Sequence, residues 1–192
     1  MRVKLGTRSS RLALEQSRLI IRLLKKKYRR LQVELIEIST AGDQARDKSL
    51  RSFDDTGIFT KELERALLDG RVDLAVHSLK DMPTRQPRGL TLAAVIGRED
   101  PRDAAIVRRQ RRLENLRAGS VIGSGSLRRR AQLKHFFPQL EFAEIRGNIE
   151  TRIRQVEEGR YAGTILARAG LRRLGLTRKI TQTLSLNYVL PA

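Results

Sequence analysis

The sequence has no cysteine, only two histidines and few aromatic residues, 4% of its 192 positions. Without cysteine there are no disulfides, no thiolate metal ligands and no cofactor held to these residues through a thioether. Two histidines make a protein-built zinc site a poor fit, so no metal is expected. The aromatic shortage argues against a base-stacking platform for nucleic acid. No apolar run approaches the roughly 20 residues of a bilayer span, and Arg2-Val3-Lys4-Leu5 opens the chain without a signal-peptide apolar block. A cytoplasmic chain with no membrane partner is therefore expected. Acidic residues are also scarce: 21 Asp plus Glu face 40 Lys plus Arg, a formal charge of +19. The natural partner of such a chain is a polyanion. Nucleic acid and a small substrate bearing several carboxylates both satisfy that argument. Many of the basic residues stand beside Gly, Ser and Thr where strands give way to helices, which is unlike a nucleic-acid-binding tail.

At this length the chain forms one or two domains with a sizeable core. Val3 and Leu5 predict a first strand, followed by a helix from about Leu12 to Tyr28 capped by Ser9 or Ser10. Val33 to Ile38 predicts a second strand. A polar stretch from Ser39 to Gly57 precedes a helix carrying Phe59, Leu63, Ala66 and Leu67, ended by Asp69-Gly70. Val72–Val76 and Leu92–Ile96 predict a third and a fourth strand. Gly97-Arg98-Glu99-Asp100-Pro101-Arg102-Asp103 is a polar break, and the alternation restarts beyond it. Strands are expected at Ala104–Val107, Val121-Ile122, Phe142–Ile145 and Thr164–Leu166, with helices at Ser126–Phe137, Ile149–Glu158 and Leu171–Leu174. The class is α/β with mainly parallel sheets. Two lobes are expected, residues 1–97 and 98–192, with a ligand cleft between them.

Three strand-to-helix junctions share one design. Gly6-Thr7-Arg8-Ser9-Ser10, Gly123-Ser124-Gly125-Ser126-Leu127-Arg128-Arg129 and Arg146-Gly147-Asn148-Ile149-Glu150-Thr151-Arg152 each join a glycine to a helix start and flanking arginine. Free N–H groups and the positive dipole end at such a start attract anions. Arg128 and Arg129 oppose that dipole, a cost that a bound carboxylate would offset. Arginine binds carboxylates through two parallel hydrogen bonds and stays charged when desolvated. Any single junction is more often an ordinary cap; three with the same bias favour an oligo-acid ligand. Some of Arg168, Arg172, Arg173 and Arg178 must simply face solvent. A fourth feature is the strand end Ala75-Val76-His77-Ser78-Leu79-Lys80-Asp81-Met82-Pro83, with a hydroxyl, an ammonium and a carboxylate within four residues. Open α/β sheets bind ligands at such strand ends. His77 reads as a packed histidine, because base or metal chemistry would need partners not visible here.

The segments GTRSSRLALEQ, STAGD, GIFTKELERALLDGRVDLAVHSLKDMPT, REDPRDA, GSGSLRRRAQL, RGNIETR and ILARAGLRRLGL resemble the porphobilinogen deaminase (hydroxymethylbilane synthase) family in order and spacing, along nearly the whole chain. The resemblance implies two periplasmic-binding-protein-like lobes and a third domain. It also implies heme and chlorophyll precursor synthesis, in which porphobilinogen is deaminated and four units are condensed into the tetrapyrrole hydroxymethylbilane. The growing chain would be anchored to a dipyrromethane cofactor held by a cysteine of the third domain. Asp81 resembles the catalytic carboxylate. Arg8, Ser10, Asp43, Ser78, Lys80, Ser126, Arg128, Arg129, Arg146, Arg152 and Arg173 match positions that bind substrate or cofactor. The family is usually monomeric.

Two departures stand out. The family continues past the equivalent of Leu190-Pro191-Ala192 into the third domain and its cysteine, so the chain is expected to be a truncated form, inactive alone. Where the family usually has Gly-Gly-Lys-Gly, this chain reads Ser52-Phe53-Asp54-Asp55-Thr56-Gly57. Carboxylate contacts from that loop would then fall to Lys61 or Arg51. The alternative reading is a non-catalytic two-lobed oligo-carboxylate-binding protein. Asp81 and Asp43 favour the enzyme, since a purely polyanion-binding site gains nothing from carboxylates.

Overall fold

Val3 and Leu5 turn inward, alternating with the exposed Arg2 and Lys4, in β1 (Arg2–Thr7), the central strand of the first sheet. In this computed structural model, which describes residues 1–40 and 60–191, the chain divides into two compact units, Met1–Gly97 and Arg98–Ala192. In the first unit β1 pairs in parallel with β2 (Gln32–Glu37) on one side and β3 (Leu74–Ala75) on the other. Helix α1 (Arg11–Lys27) connects β1 to β2. Ser10, in extended conformation, caps it by accepting the Ala13 N–H, and Lys25, Lys26 and Lys27 complement the negative end of its dipole. Its buried Ser17 donates to the buried Thr7 hydroxyl at 2.8 Å. Helix α2 (Lys61–Leu68) buries Leu63 and Ala66. It ends as the Asp69-Gly70 signal predicts: Gly70 takes φ +66, and the N–H groups of Gly70 and Arg71 return to Leu67 and Ala66.

The second unit has a five-stranded sheet in the order β6-β5-β7-β4-β8. Strands β5 (Val121–Gly123), β6 (Glu141–Ala143) and β7 (Gly163–Ala167) are parallel neighbours. Strand β4 (Asp103–Val107) runs antiparallel to both β7 and the two-residue β8 (Gln182–Thr183). All five residues of β4 are buried because both faces of the sheet are covered. Ala105 and Val107 join Leu113, Ile122, Leu133, Phe137 and Ile165 under α3 (Leu127–Phe136). On the opposite face Ala104 and Ile106 meet Ile153 of α4 (Ile149–Glu157) and Leu171 of α5 (Arg168–Arg173).

The mainly parallel α/β class stands, with β4 as the exception. The strand expected at Leu92–Ile96 is not formed, and Leu92, Val95 and Ile96 are exposed. An apolar run becomes a strand only where a neighbour accepts its hydrogen bonds, and among the described residues none lies beside it. The third strand is shorter than expected because the Val72 N–H still bonds to Ala66 at the helix end. Phe59 lies outside the described residues.

Leu133, fully buried under the second sheet, gives a direct test of this packing. Leu133→Ala is expected to cost about 2–5 kcal/mol in urea unfolding; a loss within about 0.5 kcal/mol, typical of a surface site, would contradict the assignment.

Candidate functional site

Parallel pairing of β1 and β3 brings two loops together at the carboxyl ends of neighbouring strands. One is Arg8-Ser9-Ser10, leading into α1. The other is His77 to Asp81, in which Leu79–Asp81 make a single 3-10 turn closed by the Asp81 N–H donating to the Ser78 carbonyl at 2.9 Å. The half-buried His77 lies in the fields of Glu64, Arg8 and Asp81, which places all three around it. Burial pushes its imidazole below the ordinary histidine value; the two carboxylates oppose that shift and Arg8 adds to it. The Ser78 hydroxyl is paired with the Gln16 side-chain amide of α1, at 2.9 Å from Nε2 and 3.2 Å from Oε1. Lys80 and Asp81 remain exposed at the turn. Ser10 spends its hydroxyl on the cap of α1. Asp43 and residues 51–57 lie outside the described residues.

In the second unit, the start of α3 has Ser126 as its cap, accepting the Arg129 N–H at 3.4 Å. The next two side chains converge on Asp103, the first residue of β4. Asp103 is 3% exposed and grips Arg129 with both oxygens, at 2.6 Å from Nη2 and 2.9 Å from Nε. It also accepts from Arg128 Nη2 at 3.2 Å. Arg128 donates further to the Leu190 carbonyl. Two like charges at a helix N-terminus are unfavourable; one buried carboxylate offsets both. The guanidinium of Arg129 is thus committed to Asp103 and, at 3.4 Å, to the Ile165 carbonyl. That leaves Arg128 the more available of the pair.

The third junction comes to the same place. Gly147, at φ +100, turns the chain into α4, and its carbonyl accepts from Arg152 Nε at 2.7 Å. This bond swings the Arg152 guanidinium over the Gly125 turn: a Cβ on Gly125 would lie 3.7 Å from both of its Nη atoms. Burial, reinforced by the charges of Arg129 and Arg146, pushes Arg152 down to about 10, against an opposing pull from Glu144. Arg146 pairs with Glu144. Gly125, Arg129, Arg146 and Arg152 therefore form one electropositive cluster, in which removing water from the Arg152 charge is costly. Arg173, on α5, has its Nε buried without a hydrogen-bond partner. The neighbouring Arg168 and Arg172 are instead tied to Asp100 at 2.6 Å and Glu99 at 3.0 Å.

Sequence reasoning missed Gln16 and Asp103. Both stand inside segments that carry the family resemblance, but their partners are 62 and 26 residues away, and spacing alone does not reveal such pairs. No group of three or more potential metal ligands occurs among the described residues.

The fold and these junctions define a two-lobed α/β protein of the periplasmic-binding kind, with arginine-bearing helix starts. Similar solved structures include the methionine-binding protein MetQ (TM-score 0.55, 17% identity, 96% of this chain and 78% of that one). The periplasmic VFT2 domain of Bordetella pertussis BvgS is a second (TM-score 0.50, 14% identity, 96% and 76%). A family model described as porphobilinogen deaminase, dipyromethane cofactor binding domain, matches residues 3–192. The chain belongs to the porphobilinogen deaminase family. It is 49% identical over 191 residues to the porphobilinogen deaminase of Chromobacterium violaceum, covering 100% of this chain and 62% of that relative. It is 48% identical over 190 residues to that of Syntrophomonas wolfei, covering 99% and 62%. The chain thus spans about three fifths of the length of these relatives.

Two outcomes test the site's electrostatics. Asp103→Ala strands the buried charge of Arg129 beside the partly exposed Arg128 and is expected to cost about 3–5 kcal/mol in denaturant unfolding, whereas joint replacement by Asp103→Leu and Arg129→Met restores most of it. Equal loss in both variants would contradict the clamp. For His77 the folded value lies below the ordinary 6.5, so the unfolded chain takes up the proton first. Its contribution to stability is complete above about pH 6.5 and is lost as pH falls through the lower folded value. A histidine ring titration by NMR checks this; a native midpoint at or above the unfolded one would contradict it.

Proposed function

We propose that this chain supplies the substrate-binding and deaminating surfaces of a porphobilinogen deaminase. The observation that supports this best is the cluster of Arg152, Arg146 and Arg129 around the Gly125 turn, with Arg128 beside it: cations held close together with too few acids to neutralise them. Porphobilinogen carries an acetate and a propionate, which supply the missing charge. Arg8 and Lys80 offer cations beside the Asp81 turn of the first unit, and Ser126, Arg173 and Asp43 complete the set of binding positions.

Asp81 is the proposed catalytic residue. As ammonia leaves the substrate's aminomethyl carbon with the bonding pair, positive charge spreads from that carbon into the pyrrole ring and onto its N–H. A fixed carboxylate facing that N–H lowers the energy of the cation. The half-buried His77 behind Asp81 is held neutral, so it does not compete for the carboxylate as a cation. Gln16 holds Ser78 and thereby the start of the turn.

The donor set also fits the carboxylates of the dipyrromethane cofactor, through Arg128, Arg146, Arg152, Arg173 and Ser126. The thioether attachment does not fit, because none of the 192 residues is a cysteine. When bound, that group supplies the anchored end on which the pyrrole chain grows. Tetrapyrrole synthesis would therefore require residues beyond these 192.

Calorimetric titration with porphobilinogen tests the reading. The 192-residue chain is expected to bind it and to form no tetrapyrrole. Arg152→Met should weaken binding about 10- to 100-fold, the range for a charged hydrogen bond, while Asp81→Asn should leave it within about threefold because its interaction is made in the transition state. Failure of the parent chain to bind, or formation of hydroxymethylbilane by it, would overturn this account.

A further inference from the structure

Much of the excess positive charge lies away from the binding positions. Between Glu15 and Glu34 the sequence carries Arg18, Arg22, Lys25, Lys26, Lys27, Arg29 and Arg30 and no acidic residue. Arg18 is bonded to Glu15 at 2.7 Å. The other six are exposed and make no ion pair among the described residues. Five of them crowd the C-terminal end of α1, where the helix dipole offsets only about half a charge. Apolar groups are exposed alongside: Met1 is 88%, Tyr28 50% and Leu23 41% accessible. Met1, Tyr28, Arg29, Arg30 and Leu31 line one open depression of about 300 Å³. Lys27 Nζ stands 5.5 Å from the centre of the Tyr28 ring.

We propose that the end of α1 is a docking surface for a bilayer rich in anionic phospholipid. Clusters of four to eight Lys and Arg on an amphipathic helix are drawn to such a surface, each near-surface cation adding to the attraction. Stable peripheral binding takes a second signal besides charge. Met1, Leu23 and Tyr28 provide it, tyrosine being a residue of the water–lipid boundary. A nucleic acid would use the cations equally but has no use for an exposed methionine and leucine, and Tyr28, the one aromatic residue of the patch, already faces Lys27. The depression between Arg29 and Arg30 offers a place for one phosphate headgroup. This surface does not depend on the proposed function, because none of its residues is among the binding positions.

The test is co-sedimentation of the intact chain with vesicles of phosphatidylglycerol mixed with phosphatidylcholine, against vesicles of phosphatidylcholine alone. The parent should bind the first and not the second. Changing Lys25→Glu, Lys26→Glu and Lys27→Glu together should lower partitioning on the order of a hundredfold. The same charge change at the exposed Arg111, Arg117 and Arg178 of the second unit should leave most of it. Tyr28→Ser should weaken the binding that survives in high salt. Equal losses in the two triple variants would show that only bulk charge is at work and would overturn the proposal. So would displacement of the vesicles by equimolar inorganic phosphate, or tighter, Lys25–Lys27-dependent binding of single-stranded RNA. Circular dichroism of the two triple variants confirms that both are folded before they are compared.

Discussion

The second unit depends on one buried carboxylate. Asp103 sits at the first position of β4, the strand that joins β7 to β8, and holds Arg129 with both oxygens while reaching Arg128. Without it, two cations would stand against the positive end of α3 in a poorly solvated place. With it, α3 is fixed to the sheet, and Arg128 is left beside a turn that also receives Arg152. The core packing of Leu133 and Phe137 and the position of the arginine cluster thus share one ionic fastening. Such a pair contributes to placement more than to net stability.

The first unit solves a different problem. Its candidate catalytic turn is short and exposed, and it is steadied by neutral contacts: Gln16 on Ser78, and the 3-10 turn that closes on the Ser78 carbonyl. Around it a cation, a carboxylate and a neutral imidazole occupy neighbouring strand ends. The two units therefore contribute distinct chemistry, one suited to gripping carboxylates and the other to meeting a developing positive charge.

Much of this was legible in the sequence because its signals are local. Apolar spacing gives α1, α2 and α4; Ser9-Ser10 announces the cap of α1; Asp69-Gly70 announces a helix end. The arginine-bearing helix starts were also readable, since each is a contiguous run. What the sequence hides is contact across long separations. Arg129 reads as a free carboxylate receptor until Asp103 is found on it. Arg152 reads as one helix residue among several until Gly147 turns it over Gly125. The run Leu92–Ile96 shows the converse, since its composition suits a strand while its backbone lacks a neighbour to pair with.

The central claim is that the clustered arginines recognise the carboxylates of a pyrrole ligand. It is tested most directly by comparing porphobilinogen with its dimethyl ester in calorimetric titrations of the same chain at one salt concentration. The account predicts that the ester, which keeps the ring and the aminomethyl group but has no anionic oxygen, fails to bind. Comparable affinity for acid and ester would show that the arginine cluster does not read carboxylates, and would contradict it.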